Sequence, residues 1–253
     1  MGELEGKIAI VTGAAKGFGL ASTKGFGLAS TKAFIDEGAK VVMTDVDDAE
    51  GQKQAEQFGD KAIFIKQDVS DESSWPEVFK KAEEVFGPVN VLLNNAGILL
   101  FDNAEDVKME DFHKILSVDL DGVMLGQKYA IKHMKKNGGS IINLCSIAGL
   151  IGIPNLFSYN AAKGAVRLIT KSAALYCCDK NYPIRINSVH PGYAHTPMVD
   201  AYPEMRTSLE ALHPMGRLGD ADEIANMCVF LASDRSSFST GSEFVTDGGY
   251  TAQ

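Results

Sequence analysis

A short apolar run, a glycine-rich turn and a helix-like stretch follow one another near the start of the chain. The run Ile8–Val11 is rich in β-branched residues, and it leads into the turn TGAAKGFG at positions 12–19. Glycines allow a tight turn and a close backbone approach, and the helix behind them offers free N–H groups and a partial positive charge. Strand, glycine turn and helix in this order are typical of a dinucleotide-binding unit. The sequence therefore predicts an α/β fold that holds an anionic pyrophosphate at this turn.

The octapeptide KGFGLAST occurs twice in succession, at residues 16–23 and 24–31, so the turn contains two alternative glycine pairs. Eight extra residues within one continuous helix would add about 12 Å and rotate the following side chains by about 80°, out of their packing positions. We therefore expect one copy to loop out within about residues 14–25, with the cofactor turn built from the second copy and the first glycine of the motif. A sequencing artefact is the alternative explanation. The candidate cofactor-binding glycines are Gly13, Gly17, Gly19, Gly25 and Gly27.

β-Branched runs alternate with amphipathic stretches along the chain, which is the pattern of a parallel sheet covered by helices on both faces. With 253 residues and 45% apolar composition, the chain can bury one large core, and no Pro/Gly/Ser-rich linker divides it. We predict one domain over residues 1–253, with a doubly wound Rossmann-type parallel sheet of about seven strands and a long binding loop over residues 193–216. The predicted strands are Ile8–Val11, Lys40–Thr44, Ala62–Gln67, Val91–Asn94, Ser140–Leu144, Arg185–His190 and Glu243–Thr246, and the predicted later helices cover 49–58, 73–86, 110–136, 158–180 and 221–232.

Charge and cysteine usage restrict the partners and the compartment. The net charge of −9 and the lack of a basic stripe argue against a nucleic-acid partner. No apolar run is long enough to span a membrane, and the N-terminus lacks the apolar region of a secretory signal. The cysteines at positions 145, 177, 178 and 228 show no metal-ligand spacing, which predicts reduced thiols. We therefore expect a cytoplasmic protein that binds neither nucleic acid nor membrane.

Several motifs together resemble those of the short-chain dehydrogenase/reductase family, from about residue 6 to the end of the chain. They are the TGxxxGxG turn, the NNAG segment at Asn94–Gly97, the serine at position 146 and the YxxxK pair of Tyr159 and Lys163. A lone glycine turn or a lone YxxxK is weak evidence, but their joint occurrence at matching positions is not expected by chance. The resemblance implies a nicotinamide-dependent oxidoreductase that transfers hydride between an alcohol and a ketone.

Asp45 ends the second predicted strand, where an acidic side chain can bind the adenosine ribose hydroxyls. Once one octapeptide copy is discounted, its distance from Gly13 is close to the expected ~20 residues. Because its charge would repel a 2′-phosphate, Asp45 favours NAD over NADP, whereas Lys16 acts weakly in the opposite direction. An ordinary turn carboxylate is the alternative. The further cofactor-binding residues that the resemblance implies are Asp68, Val69, Asn95, Ala96, Gly97, Tyr159, Lys163, Pro191, Gly192 and Thr196.

The residue types at the predicted catalytic positions suit proton transfer to and from an alcohol. Tyr159 and Lys163 project from one helix face, and Ser146 ends the preceding strand. Hydride transfer to a ketone leaves an alkoxide that must be protonated, and the reverse reaction needs a base. A free tyrosine, with a pKa of about 10, is a poor base at neutral pH, but an adjacent lysine cation favours its phenolate. We predict Tyr159 as acid and base, Lys163 as its activator and a ribose ligand, and Ser146 as the hydrogen-bond donor to the substrate oxygen.

The chain departs from the family pattern at Asp119, where VDLDG replaces a segment such as VNLxG. The resemblance implies that the family's asparagine helps to kink its helix and to retain a water that relays protons from the lysine. A carboxylate lacks the amide donor, and its charge would hold Lys163 protonated more tightly. We expect Asp119 to take the fourth catalytic position, with activity that is reduced but retained.

Apolar residues flank the predicted carbonyl site, and no arginine is placed to bind a carboxylate or phosphate, so we expect an apolar substrate. Stretches such as SIAGLIGIP and FSTGSEFVTDGGYTAQ look most like R-specific secondary-alcohol dehydrogenases of lactic acid bacteria and like cyclic-alcohol dehydrogenases. The alternatives are a hydroxysteroid dehydrogenase, a 3-oxoacyl reductase, or a dinucleotide-binding protein that no longer catalyses. The flanking residues are Leu99, Leu100, Phe101, Leu150, Ile151, Tyr193, Met198 and Val199.

The resemblance also bears on assembly and metal binding. The similar alcohol dehydrogenases are homotetramers, so we expect a homotetramer here. Their terminal glutamine helps to hold a structural Mg²⁺, and Gln253 matches that position. One matching residue is too little to assign a metal, so we assign no metal ligand.

Overall fold

A seven-stranded parallel sheet forms the centre of the protein in the computed structural model, which describes residues 2–15 and 25–253. The strands of the described ranges are β1 (Ile8–Thr12), β2 (Lys40–Asp45), β3 (Ala62–Lys66), β4 (Val91–Asn94), β5 (Gly139–Leu144), β6 (Ile184–Pro191), β7 (Ala194–His195), β8 (Gly219–Asp220) and β9 (Glu243–Thr246). The order in the sheet is β3-β2-β1-β4-β5-β6-β9, with β7 and β8 paired separately. This order confirms the predicted doubly wound α/β fold. Ligands bind to such sheets at the carboxyl edge where the winding direction reverses, which here lies between β1 and β4.

Helices cover both faces of this sheet. They are α1 (Phe26–Asp36), α2 (Asp48–Glu56), α3 (Ser74–Val85), α4 (Met109–Leu116), α5 (Gly122–Met134), α6 (Phe157–Asp179), α7 (Pro197–Asp200), α8 (Arg206–Ala211) and α9 (Ala221–Ala232). One core contains Phe34 of α1 and Val229 of α9, whereas the core on the other face contains Trp75 of α3, Ala130 of α5 and Ala174 of α6. Within residues 2–15 and 25–253, none of the helices combines the length and the apolar character that crossing a bilayer requires.

The first helix is built from the second octapeptide copy. α1 begins at Phe26, after Gly25 in an extended conformation with φ −67° and ψ 157°. Leu28 and Phe34 are buried in the core that α1 shares with α9. The described residues after the glycine turn therefore come from the second copy, as expected. The predicted loop-out falls mainly on residues 16–24, which lie outside the described ranges.

The helix predicted over residues 110–136 is interrupted. α4 ends at Leu116, Ser117–Asp121 form a π-helical segment, and α5 follows from Gly122. A π-turn takes up an extra residue and commonly marks a functional site. Here Asp119 is fully buried, whereas Asp121 is exposed. The expectation of one uninterrupted helix was wrong, because the apolar periodicity continues on both sides of the π-helical segment.

The predicted long loop over residues 193–216 contains short regular elements. β7 pairs in parallel with β8, so that Ala194 lies opposite Gly219. α7 and α8 follow β7, and the Thr196 side chain caps α7 by accepting a hydrogen bond from Val199 N–H. These elements place the stretch beside the carboxyl edge of the sheet.

All four cysteines are unpaired thiols, and Cys178 is the exposed one. Burial raises the pKa of Cys145 to about 11 and that of Cys228 to about 12. Burial also raises the pKa of Cys177 to about 11. The buried cysteines are therefore neutral packing residues, which agrees with the prediction of reduced thiols.

Candidate active site

The turn between β1 and α1 is tight enough to require glycine at two positions. Gly13 has φ +65°, and a Cβ there would lie 2.7 Å from Ala96 Cα. A Cβ on Gly27 would lie 2.5 Å from the carbonyl oxygen of Gly13 and 2.5 Å from Asn95 Nδ2. Among the described residues, no side chain caps the N-terminus of α1 at Gly25, so the first N–H groups of this helix suit an anion. The structure thus brings Gly13, Gly25 and Gly27 together, whereas Gly17 and Gly19 lie outside the described residues.

Hydrogen bonds join this turn to the end of β4. Thr12 Oγ1 accepts from the N–H groups of Asn95 and Ala96, both at 3.0 Å. Asn95 Nδ2 donates to the carbonyl oxygens of Thr12, at 2.7 Å, and Gly13, at 3.0 Å. The NNAG segment therefore fixes the glycine turn against the centre of the sheet.

A cavity of about 320 Å³ lies at this carboxyl edge and collects most of the predicted site residues. The predicted residues that line it are Gly13, Gly25, Gly27, Asp45, Asp68, Val69, Asn95, Ala96, Gly97, Asp119, Tyr159, Lys163 and Thr196. The lining residues that the sequence interpretation missed are Phe26, Val46, Gln67, Ile98, Val118, Leu144, Cys145 and Pro197. Each missed residue lies within two positions of a predicted one in the sequence, so the predicted positions at the strand ends were the signal that could have found them.

Asp45 lies at one end of the cavity with its carboxylate fixed. Its Oδ2 accepts from Ala15 N–H at 3.0 Å, its Oδ1 accepts from Asp47 N–H at 3.1 Å, and 8% of the residue is exposed. Gln67, immediately after the neighbouring strand β3, has a buried Oε1 that finds no hydrogen-bond partner within residues 2–15 and 25–253. A buried polar atom is rarely left unpaired, so this oxygen is available to a donor on a bound molecule. Lys16, the residue expected to oppose Asp45, is outside the described residues.

Tyr159 and Lys163 line the cavity from the first turns of α6, whereas Ser146, which follows β5, is not among the lining residues and lies beside Tyr159. Lys163 Nζ lies 5.3 Å from the centre of the Tyr159 ring. Burial raises the pKa of Tyr159, while the charge of Lys163 and a hydrogen bond with Ser146 act to lower it. Ser146 Oγ accepts from Ala148 N–H at 3.1 Å, which fixes its position at the start of a 3₁₀ turn. The predicted catalytic groups are therefore neighbours.

Asp119 and Lys163 form a buried ion pair beside these groups. Asp119 Oδ2 lies 3.0 Å from Lys163 Nζ, and the two side chains are 0% and 4% exposed. Asp119 Oδ1 accepts from Ile98 N–H at 2.8 Å, and Lys163 Nζ also donates to the Leu144 carbonyl at 3.3 Å. Burial raises the pKa of Asp119, an effect that Lys163 opposes. Burial alone would lower the pKa of Lys163, but the Asp119 charge raises it above its usual range, so the ammonium stays protonated.

Two predicted cofactor residues lie apart from this cavity. Pro191 ends β6 and pairs with Thr246 of β9. Gly192 N–H donates to the Thr246 carbonyl, and a Cβ on Gly192 would lie 2.9 Å from both Asp247 Cα and His213 Nε2. Gly192 lines a second cavity of about 90 Å³. Of the three predicted cofactor residues in this stretch, Pro191, Gly192 and Thr196, it is Thr196 that lines the main cavity.

Among the side chains that the structure describes, none of the apolar ones expected to flank the carbonyl site lines the main cavity, and Phe101 lines a separate cleft. Phe101 meets Tyr202 edge to face, with ring centres 5.1 Å apart, and both are partly exposed. An open cleft beside them is also lined by Met205 and by the polar residues Asp102 and Asn155. The contact between Phe101 and Tyr202 joins the segment after β4 to the segment after α7.

The expected position for a terminal metal shows no cluster of metal ligands. Within residues 2–15 and 25–253, no group of three or more His, Cys, Asp or Glu side chains could hold a metal ion. Gln253 Nε2 donates to the Leu212 carbonyl at 3.4 Å. A metal held through Gln253 in an assembly of several chains therefore stays an untested expectation.

Comparison with known proteins gives matches over nearly the whole chain. The profile of a family described as enoyl-(acyl carrier protein) reductase matches residues 19–251. The NADP-dependent (R)-specific alcohol dehydrogenase of Lentilactobacillus kefiri is 49% identical over 256 residues, which cover 99% of this chain and 98% of that protein. The 3-alpha-(or 20-beta)-hydroxysteroid dehydrogenase of Mycobacterium tuberculosis (strain ATCC 25618 / H37Rv) is 43% identical, with 99% and 92% covered. The cyclohexanol dehydrogenase of Acinetobacter sp. (strain SE19) is 37% identical, with 98% and 96% covered.

Proposed function

The chain belongs to the short-chain dehydrogenase/reductase family and is a nicotinamide-dependent oxidoreductase of secondary alcohols and their ketones; we propose that small or cyclic apolar compounds are its substrates and NAD(H) its preferred cofactor. The observation that carries this proposal is that Tyr159 and Lys163 line one cavity with the glycine turn and Asp45, while Ser146 lies beside Tyr159. The same site in one domain over residues 1–253 would serve both cofactor and substrate.

The residues of the cavity fit a dinucleotide. A Cβ on Gly27 would fill the space at the start of α1, and the free N–H groups there suit a pyrophosphate. We assign the phosphate turn to Gly13, Gly25 and Gly27. The Asp45 carboxylate suits the ribose hydroxyls, and Asp68, Val69 and Thr196 lie further along the same cavity.

Ser146, Tyr159 and Lys163 divide the chemistry among them. When bound, the nicotinamide supplies or accepts the hydride. The Ser146 hydroxyl donates a hydrogen bond to the carbonyl oxygen of the ketone and so orients it. Tyr159 gives its phenolic proton to that oxygen during reduction and takes it back during oxidation, while the Lys163 ammonium stabilises the phenolate.

A panel of ketones with NADH, followed by NADH absorbance, tests the reaction and its substrate class. We expect turnover of cyclohexanone and small methyl ketones, and Tyr159→Phe should lower kcat by about 10²–10⁴-fold. Tyr176 is an exposed tyrosine on the same helix, so Tyr176→Phe is the matched control and should leave kcat unchanged. Preference for a steroid ketone or a 3-oxoacyl thioester would favour those alternatives instead. Binding of NADH without turnover of any ketone would indicate a protein that no longer catalyses.

Asp45 supports the preference for NAD over NADP, and a cofactor comparison tests it. The similar dehydrogenase of Lentilactobacillus kefiri is NADP-dependent, so the two cofactors must be compared directly. We expect kcat/KM to be at least about tenfold higher with NADH than with NADPH, because a 2′-phosphate would meet a nearly buried carboxylate. Asp45→Asn should reduce the ratio of kcat/KM with NADH to kcat/KM with NADPH. Asp48→Asn, at an exposed position nearby, should leave this ratio unchanged. A wild-type preference for NADPH contradicts the proposal.

We also propose a cytoplasmic homotetramer. Met124 of α5, Leu168 of α6 and Leu175 of α6 are large apolar side chains that are 42%, 65% and 69% exposed, which suits burial against further copies of the chain. The unpaired thiols suit a reducing compartment. Light scattering on the purified protein tests the assembly, and a monomer in solution would contradict it.

A further inference from the structure

The buried ion pair of Asp119 and Lys163 changes the electrostatics of the proton donor. Lys163 is 3% exposed and Asp119 is fully buried, so water screens their charges weakly. The π-helical segment brings the carboxylate within 3.0 Å of the ammonium, and Ile98 N–H fixes its other oxygen. A Cβ on Gly97 would lie 2.8 Å from Asp119 Oδ2, which leaves the carboxylate little room to turn away.

A lone ammonium beside a phenol stabilises the phenolate, but an ammonium paired with a carboxylate does so much less. The charge of Lys163 lowers the pKa of Tyr159, and the charge of Asp119 raises it, in addition to the larger effect of burial. Opposite charges 3.0 Å apart partly cancel at a third group, so the field that favours the phenolate is weakened. An uncharged amide at position 119 would leave the field of Lys163 intact.

The other titratable groups that face Tyr159 from packed elements are neutral around pH 7. The Cys145 thiol, after β5, has a pKa of about 11, and the Tyr193 phenol, after β6, has a pKa of about 12. Burial lowers the pKa of His190, whose Nδ1 lies 3.0 Å from the Ser146 carbonyl. Of the titratable groups named here, all within the described residues, Asp119 and Lys163 are the charged ones.

We propose that Asp119 is a positioning residue that holds the Lys163 ammonium beside Tyr159 and weakens its stabilisation of the phenolate, which adapts the enzyme to ketone reduction. The inference rests on the proposed function. In that direction the carbonyl carbon takes the hydride, the oxygen takes the phenolic proton, and water reprotonates the phenolate before the next turnover. Alcohol oxidation needs the phenolate at the outset and is therefore restricted to alkaline solution.

The decisive variant is Asp119→Asn, which keeps the shape and removes the charge. In the cofactor-free protein, ultraviolet titration of tyrosinate, with the Tyr159→Phe protein subtracted, gives the pKa of Tyr159. We expect Asp119→Asn to lower that pKa by about one unit or more, and to shift the pH profile of kcat/KM for alcohol oxidation downward by the same amount. Oxidation at a fixed pH below the pKa should then rise about tenfold. Asp121→Asn, an exposed carboxylate of the same π-helical segment, is the matched control and should shift neither quantity.

The titration also separates this inference from the proposed function. If no ketone is turned over but Asp119→Asn still lowers the pKa of Tyr159, the reaction assignment fails and the electrostatic role of Asp119 stands. An unchanged titration and an unchanged pH profile in a folded Asp119→Asn protein would overturn the inference. If that variant does not fold, the wild-type titration decides. A pKa of Tyr159 well below the ordinary value of about 10 would show that Asp119 does not weaken the stabilisation of the phenolate by Lys163.

Discussion

Alanine at position 27 would place a methyl group inside the closest packing of the glycine turn. Its Cβ would lie 2.5 Å from the Gly13 carbonyl oxygen, 2.5 Å from Asn95 Nδ2 and 3.1 Å from Ala14 Cα. Two of these neighbours are backbone, and Asn95 Nδ2 is held by hydrogen bonds of 2.7 Å and 3.0 Å. The helix start must therefore move away from the turn.

The size of this effect follows from the contacts. Ordinary carbon contacts lie at about 3.5–4 Å, so α1 must retreat from the turn by about 1 Å at its first residues. Overpacking of this kind typically costs about 1–3 kcal/mol. If the cost falls on the dinucleotide-bound state, the affinity for NADH falls by about 5- to 150-fold. If it falls on folding, the free energy of unfolding decreases by the same amount.

The repeat supplies a matched control with the same local sequence. Gly19 occupies in the first octapeptide copy the place that Gly27 occupies in the second. Fluorescence titration with NADH and thermal unfolding should be measured for Gly27→Ala and Gly19→Ala in parallel. We expect Gly27→Ala to weaken NADH binding at least about fivefold or to lower the unfolding midpoint, and Gly19→Ala to do neither.

The opposite result would refute the assignment of the turn to the second copy. If Gly19→Ala weakens binding and Gly27→Ala does not, the first copy forms the phosphate turn. Removal of residues 16–23 gives a further test, because it leaves Gly13, Gly25 and Gly27 in place. The shortened chain should bind NADH with unchanged affinity, and Gly27→Ala should have its full effect in it.

Two further predictions concern stability. Asn143 is fully buried, accepts a hydrogen bond from Asn94 at 2.9 Å and donates one to Thr170 at 2.8 Å. Asn143→Ala should therefore lower the free energy of unfolding, measured by chemical denaturation, by about 2–4 kcal/mol. A decrease below about 1 kcal/mol would contradict this reasoning. Hydrogen bonds from Arg217 lower the pKa of Glu223 to about 2, so this carboxylate stabilises the fold above its ordinary pKa of 4.5 and loses that contribution as the pH falls toward 2. Both side chains are more than one-third exposed, so the pair contributes less than about 1 kcal/mol to stability. Glu223→Gln should therefore only flatten the pH dependence of the unfolding midpoint as the pH falls from 4.5 toward 2. An unaltered pH dependence in this variant would contradict the role of the pair.

The fold could be predicted from the sequence because the signals for each strand are local. Apolar β-branched runs bounded by turns predicted all seven strands of the main sheet, with ends that differ by at most one residue, as at β6 (Ile184–Pro191) against the predicted Arg185–His190. Residues at the carboxyl ends of parallel strands must share one edge of the sheet. Asp45 and Asn95, far apart in sequence, could therefore be placed in one site.

Features that depend on packing between elements could not be predicted in the same way. Pro191 is the last residue of β6 and pairs with Thr246 of β9, and Gly192 lines the second cavity, so the PG segment lies apart from the main site. The unpartnered Gln67 Oε1 has no sequence signature, because its lack of a partner is a property of its surroundings. Likewise the π-helical segment Ser117–Asp121 keeps the apolar pattern of the helices beside it.

The fixed distance between α1 and β2 decides where the extra octapeptide can be accommodated. Phe34 and Ile35 are buried against the sheet and α9, and Ala39 N–H donates to the Phe34 carbonyl immediately before β2. A shift of α1 by eight residues would rotate these side chains by about 80° and draw Asp45 away from the cavity. The described helix is continuous from Phe26 to Asp36, so its buried residues come from the second copy and from the residues that follow it. The register of α1 against the sheet and the position of Asp45 therefore follow from the second copy, and the paired alanine variants test which glycines form the turn.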